Sequence, residues 1–321
     1  MTMAYHPFCM ARMRAIWHCL LVSTILVGTA YGEPLEYQAP PIDNPLKGFV
    51  PYGGRHNHRF PHSLEFRYFA LKDILVSGNA KGAFQFDWSS IDEFLNEAKS
   101  RGHQGVFRLH CEYPGDAAEL KVEIPRYLVD RGVKISRVRA TVELDSSGQP
   151  AHYSMSPDYE NSLLRRALKQ TITAMGARYD GDPRVGFIEV GTLGFWGEWH
   201  TYPDMEHMAS RDVQQEVLQS FEGAFKTTKL LARYPEDDSQ KDIAPNVSRN
   251  FGYHDDSFTW STVYKRDAGW HFLTRMAKSN ASEKWKTNPI GGELYPQLTW
   301  DRIRRRMPTR RKSRVRLRAN G

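Results

Sequence analysis

Val185-Gly-Phe-Ile-Glu-Val190 runs without interruption into Gly191-Thr-Leu-Gly194-Phe-Trp-Gly197-Glu-Trp-His200, and the reading of this stretch decides the architecture of the chain. A short apolar run that gives way to glycines reads as a strand buried on both faces and ending in a loop. The loop sets one carboxylate, Glu198, between Trp196 and Trp199 and beside His200. Low-polarity aromatic walls disfavour the charged form of a carboxyl, and flat indole faces suit the C–H faces of a sugar ring. The segment therefore fits the general acid of a glycosidase. A plainer reading is a tight turn whose tryptophans plug the core and whose Glu198 is solvated; this stretch alone leaves both open.

Outward from this strand, short apolar runs alternate with helical patterns. Upstream, residues 48–52, 65–71 and 105–111 read as strands. Between them and the opening strand come a helix over 88–100, with Trp88, Ile91, Leu95 and Ala98 on one face, and a helix over 159–179 closed by Gly181. Downstream the pattern predicts a helix over 213–225, strands over 230–234 and 250–253, a helix over 270–278 and a strand over 289–294. Strands alternating with helices predict parallel βαβ units and an α/β fold. The length suits a (β/α)8 barrel of the TIM type, which takes about 250 residues and keeps its chemistry on the loops after the strands. The pattern is incomplete at the eighth unit. Arg314-Val-Arg-Leu-Arg318 carries arginine at every second position, whereas a barrel strand is covered on both faces. Residues 112–157, rich in turn formers, read as an insertion in which 138–144 and 151–155 pair. No Gly-x-Gly-x-x-Gly opens a helix, so no dinucleotide or other cofactor is expected.

The 321 residues carry a formal net charge of +7. Residues 301–321 hold ten Arg or Lys against one Asp, so this basic tail accounts for +9 and everything before it sums to −2. The body is near neutral, and the tail has no aromatics to stack bases. It reads as disordered, and no nucleic-acid partner is expected. At the other end, Arg12 and Arg14 precede the apolar residues 15–30, and Ala30 and Gly32 are small at the two positions a signal peptidase reads. Residues 1–32 are expected to be a signal peptide, residues 33–300 the catalytic barrel, and the location exported, periplasmic or extracellular. The apolar run falls short of the roughly 20 residues a spanning helix needs, so no membrane span is expected once the leader is gone. Cys9 and Cys19 leave with it, and Cys111 alone forms no internal disulfide.

Ile290-Gly-Gly-Glu-Leu294 is the counterpart of the opening motif. Glu293 follows a short apolar strand and two glycines that would let a substrate approach the backbone, which is where a nucleophile would sit. Glu198 and Glu293 together fit a retaining pair, held about 5–5.5 Å apart in such enzymes. Glu189, inside the strand, points into the barrel by period-two alternation and needs Arg67, Arg108 or Arg233 as a partner. It is read first as a residue lining the site. Arg67, Arg108, His110, Trp196, Trp199, His200, Tyr202, Tyr253, His254 and Asp255 are the expected sugar contacts. His56-Asn-His58 with His62, and His254-Asp255-Asp256, lack the ligand pattern of a metal centre, and no metal is expected.

Asn44-Pro-Leu-Lys-Gly-Phe49, Phe60-Pro-His-Ser-Leu-Glu65, the segment 194–200 and Gly291-Gly-Glu293 resemble a family of exported bacterial proteins of unknown function that are regarded as glycoside hydrolases. That family is similar in turn to the clan of (β/α)8 retaining glycosidases with an acid/base Glu after strand four and a nucleophile Glu after strand seven. The resemblance implies these roles for Glu198 and Glu293. The clan usually shows Asn directly before the acid/base, where this chain has Gly197. The expected activity is a retaining glycoside hydrolase acting on a glycan or glycoside. The alternative is a carbohydrate-binding or degenerate glycosidase-like protein without turnover.

Overall fold

The computed structural model describes residues 46–54, 61–78, 83–236, 243–258, 262 and 271–294. The expected leader, the basic tail with Arg314 to Arg318, and His56 and His58 lie outside the described residues.

In chain order the elements are β1 (Leu64–Ala70), α1 (Leu71–Ile74), β2 (Leu75–Gly78), β3 (Phe84–Phe86), α2 (Ser89–Ser100), β4 (Gln104–His110), β5 (Gly115–Asp116), α3 (Arg126–Asp130), β6 (Ile135–Arg139), β7 (His152–Pro157), α4 (Ser162–Tyr179), β8 (Val185–Glu189), α5 (Arg211–Ala224), β9 (Leu230–Ala232), β10 (Phe251–Phe258), α6 (Phe272–Lys278) and β11 (Ile290–Leu294). Local sequence explains the main helices. The Asn161 side chain accepts from Leu163 N to start α4, and Gly181, at φ +78°, turns the chain just past its end. Ser210 caps α5 in the same way. Apolar residues at helical spacing, Ile91, Phe94, Leu95 and Ala98 in α2 and Val213, Val217, Leu218 and Phe221 in α5, are the ones that become buried.

β1, β4, β8, β9, β10 and β11 form one sheet in that order, and every neighbouring pair is parallel. Strands that follow one another in space as they do in sequence wind in a single direction, as in a (β/α)8 barrel. The sheet curls into a half-barrel: the Tyr68 hydroxyl on the first strand donates to Glu293 on the last at 2.6 Å. Among the described residues it stays open, with β1 and β11 at its edges. One expected strand is missing. Residues 48–52 make only a single parallel bridge, Tyr52 to Phe66. Pro51 has no N–H to donate and Gly54 turns away at φ +85°, so the pairing stops there.

The convex face of the sheet meets the helices in the main core, where Phe69, Phe107, Ile188 and Leu230 pack with residues of α2, α4 and α5. On the concave face, Leu64, Phe66 and Val106 cluster with Tyr68 and Phe187. The insertion pairs as expected, with shifted bounds: β6 and β7 are antiparallel, β5 joins the other edge of β7, and Leu144 bridges Pro150. No helix among the described residues is long and apolar enough to cross a membrane.

Candidate active site

Period-two alternation sorts each strand between helices and cavity. On β1, Phe66 and Tyr68 face the concave side, while Phe69 joins the helix-side core and Arg67 lies over its ring at 5.9 Å. Ascending toward the carboxyl ends of the strands, the apolar cluster of Leu64, Phe66 and Val106 gives way to a layer of charge.

Arg108 on β4 is the centre of that layer and is fully buried. One nitrogen, Nη1, pairs with Glu189 of β8 at 2.9 Å. The other, Nη2, reaches Glu198 at 3.2 Å and Glu293 at 2.5 Å, and donates to the Tyr68 hydroxyl at 2.7 Å. Its guanidinium carbon also lies 4.7 Å from the Tyr68 ring centroid. A buried guanidinium demands partners, and these contacts supply them from three other strands or strand ends. Tyr68 completes the clamp on Glu293 from the opposite edge of the sheet. Arg233, directly after β9, forms a second centre. Its Nη1 donates to the Glu198 carbonyl oxygen at 2.6 Å, and its Nη2 pairs with Asp256 on β10.

Glu198 sits on a loop bent by an unusual backbone. Thr192, Trp196 and Trp199 take positive φ angles of 74°, 52° and 58°, as do Gly194 and Gly197. Left-handed conformations in non-glycine residues are costly and persist only where surrounding bonds over-determine them. Here Phe195 N donates to His200 O at 2.8 Å, Trp199 N to Leu193 O at 3.0 Å, and Gly194 N to the Tyr159 hydroxyl at 2.9 Å. At Gly194 and Gly197 a side chain would also strike backbone, His200 O at 2.5 Å and Leu109 O at 2.7 Å. Tyr159 in turn donates to Glu112 at 2.7 Å, and Ser154 and Ser156 donate to the same buried carboxyl. The insertion thus anchors the Glu198 loop.

Burial sets the protonation of the layer. It pushes Glu189 up, against the pull of Arg108 and with repulsion from Glu293 and Glu198 adding to it. It likewise raises Glu198, again opposed by Arg108 and reinforced by Glu293. Asp256 is raised to about 6 by burial, against Arg233. Burial, with Arg108 or Arg233 nearby, lowers His110 and His200 to about 3 and holds His254 well below the usual imidazole range, so these imidazoles are neutral. Both ring nitrogens of His254 are buried without a hydrogen-bond partner among the described residues.

No protein-family profile and no curated protein matches this sequence. The likeness is to solved glycosidase structures, and it is distant. Endo-glycoceramidase II from Rhodococcus sp., as its lactosyl-enzyme intermediate, is similar at 10% identity and a TM-score of 0.40 over 73% of this chain and 64% of that one. Cel5A from Thermotoga maritima, in complex with mannotriose, is similar at 12% identity and a TM-score of 0.36 over 72% of this chain and 66% of that one. This chain therefore spans less than two thirds of the length of either. Likeness at this level assigns no residue a role.

Of the expected site residues, the structure brings Glu198, Glu293, Glu189, Arg108, His110, His200 and His254 to the concave side, with Trp196 half-buried at its edge. Others are corrected. Trp199 belongs to the main core, its indole N–H donating to Val190 O at 2.8 Å, so one of the two indoles is a plug and not a wall. Arg67 lies on the helix side. So do Tyr253, bonded to Asn246 at 3.0 Å, and Asp255, which accepts from Ser257 N and from Thr262. Tyr202 is 57% exposed at the end of the loop. Gly292 lets β10 approach, since a side chain there would meet Asp255 O at 2.4 Å, and does not open the backbone to a substrate.

Tyr68 and Asp256 are not among the expected site residues, yet both face inward by the alternation that also turns Arg108 and His254 to the concave side. Two groups of ligand-type side chains converge among the described residues, His62 with Glu65 and His103, and Glu198 with His200 and Asp256, each within 4.8 Å. In both, guanidinium already neutralises an acid: Arg101 binds Glu65 at 2.7 and 2.6 Å, and Arg233 pairs with Asp256.

Proposed function

We propose that this chain is a retaining glycoside hydrolase, with Glu198 as general acid/base and Glu293 as nucleophile. One observation carries the reading. Both carboxyl groups contact the same nitrogen of Arg108, at 3.2 and 2.5 Å, so the contacting oxygens lie under about 6 Å apart, a bound that admits a retaining pair and is short for an inverting one. Their surroundings support different duties. Glu198 is the more deeply buried, and burial raises its pKa, which favours the protonated acid; the Glu293 carboxyl is held in place by hydrogen bonds from Arg108 and Tyr68.

In the first half-reaction Glu198 would give its proton to the glycosidic oxygen as that C–O bond breaks, and a Glu293 oxygen would bond to the anomeric carbon. In the second, Glu198 would take a proton from water as the water oxygen displaces Glu293. Trp196 and the 46%-exposed Tyr113, 6.4 Å apart between ring centroids, offer apolar faces to a sugar beside the pair. The substrate class is a glycan or glycoside, met outside the cytoplasm after removal of residues 1–32.

The test is hydrolysis of a panel of aryl glycosides by the wild type, Glu198→Gln and Glu293→Gln. Wild-type cleavage reduced at least about 100-fold in each variant supports the pairing; variants that match the wild type overturn it. A second reading is saccharide binding without turnover, for which the concave side offers the Trp196 and Tyr113 rings. Calorimetric binding with no hydrolysis product would select it.

A further inference from the structure

Singly exposed aromatic rings are ordinary, whereas several on fixed backbone around one cavity mark a binding surface. Three such rings stand on the concave side. Tyr113 is exposed directly after the fully buried Glu112, and Trp196, half-buried on the locked loop, donates its N–H to the Glu112 carbonyl oxygen at 3.2 Å. The third is Tyr52, 43% exposed and not among the expected site residues. Its backbone is pinned from both sides: Phe66 N donates to Pro51 O at 2.9 Å, and Gly53 N donates to Phe66 O at 2.8 Å. The bridge between Tyr52 and Phe66, too short to make a strand, thus holds one ring in place beside β1.

Tyr52 turns toward the cavity. Its ring centroid lies 6.5 Å from that of Phe66, edge to face, and 6.4 Å from that of Tyr68. Tyr113 also lies 6.4 Å from Tyr68, yet Tyr52 and Tyr113 make no ring contact with each other among the described residues. Tyr68 therefore connects two separate aromatic surfaces, and its hydroxyl holds Glu293. On one side Tyr113 and Trp196 meet at 80°, the floor and wall of a slot for one sugar. Tyr52 is the other surface. A sugar ring stacks its C–H face on one aromatic face, so a single sugar in the slot leaves Tyr52 bare.

We propose that the concave side takes a chain of at least two joined sugars, one in the slot of Tyr113 and Trp196 and another on Tyr52. The substrate is then an oligosaccharide, or the glycan arm of a larger glycoside, and not a lone sugar on a small aglycone. Cleavage of the bound chain rests on the hydrolase reading; the two platforms rest on the placement of the rings.

The test is calorimetric titration with ladders of cello-, manno-, xylo- and galacto-oligosaccharides, from one sugar to three. It is made in the Glu198→Gln chain, so that nothing is cleaved during the titration, alone and combined with Tyr52→Ala, Tyr52→Phe or Tyr113→Ala. In the ladder that binds, affinity should rise from the single sugar to the longer members. Tyr52→Ala should cut that rise roughly 3- to 10-fold, the worth of one stacked ring, and Tyr52→Phe, which keeps the ring, should preserve it. Tyr113→Ala should weaken every member of the ladder. A folding defect would also weaken every member alike and show in circular dichroism, whereas the proposal is read in the ratio between long and short.

An affinity that does not rise with length, a rise that survives Tyr52→Ala, or failure of every ladder to bind overturns the proposal. Hydrolysis of the same ladders by the wild type is scored separately. Length-dependent binding through Tyr52 with no product defeats the hydrolase reading and leaves the second platform standing; product formation with no Tyr52 dependence does the reverse.

Discussion

The two carboxyl groups on Arg108 Nη2 are held by opposite means. Glu198 is fixed through its backbone, on a loop locked by left-handed residues, by the Arg233 bond to its own carbonyl and by the anchor from the insertion. Glu293 stands on β11, an edge strand among the described residues, whose flanking Ile290 and Leu294 are 39% and 38% exposed. Its carboxylate is fixed by side chains, Arg108 from β4 and Tyr68 from β1. The acid is positioned locally and the nucleophile across the sheet. Damage to the cross-sheet contact should therefore act on chemistry, and damage to the loop anchor on stability.

The largest effect on this comparison is expected from Tyr68→Phe. It removes the hydrogen bond to Glu293, worth about 1.5–3 kcal/mol when the partner is charged, together with the acceptor that the hydroxyl offers Arg108. Hydrolysis should fall roughly 10- to 100-fold, with thermal unfolding almost unchanged. A variant that loses stability instead would show that Tyr68 is part of the core and not of the nucleophile clamp.

Glu112→Gln probes the other end through pH. Burial raises Glu112 to about 7, against its Ser156, Tyr159 and Ser154 hydrogen bonds. The folded state thus binds a proton that the unfolded chain releases near 4.5. The stability tied to that proton is full below about 4.5 and lost as pH rises through about 7. In urea titrations Glu112→Gln should gain on the wild type as pH rises over that window, on the order of 1–3 kcal/mol. Other titrating groups cancel in the difference, and a difference that does not change with pH would refute the buried-acid account.

The alternating β/α order, the strand at 185 and the two candidate glutamates were legible because short apolar runs, helical periodicity and glycine-flanked acids leave marks in sequence. What was not legible depends on neighbours. A one-residue step along a strand exchanges cavity for helix side, and nearness to a strand end, on which Tyr253, His254 and Asp255 are all expected at the site, does not tell the two faces apart. Tyr68 and Arg67 are adjacent and differ only in the face they take. Trp196 and Trp199 look alike in sequence. The backbone φ angles and the carbonyl oxygens of Val190 and Gly191 decide that Trp199 plugs the core, which makes the plainer reading of the loop right for that residue. Residues 48–52 have strand composition, and Pro51 with Gly54 limits them to one bridge.

The central claim is that Glu293 attacks the sugar while Glu198 manages the proton. A 2-deoxy-2-fluoro glycoside with a good leaving group, matched to whichever aryl glycoside is cleaved, tests this most directly by trapping the glycosyl-enzyme for peptide mass spectrometry. The account predicts one adduct, on the peptide containing Glu293, and none in Glu293→Gln. An adduct on Glu189, Glu198 or Asp256, or a hydrolysis product of inverted configuration with no adduct, would contradict it.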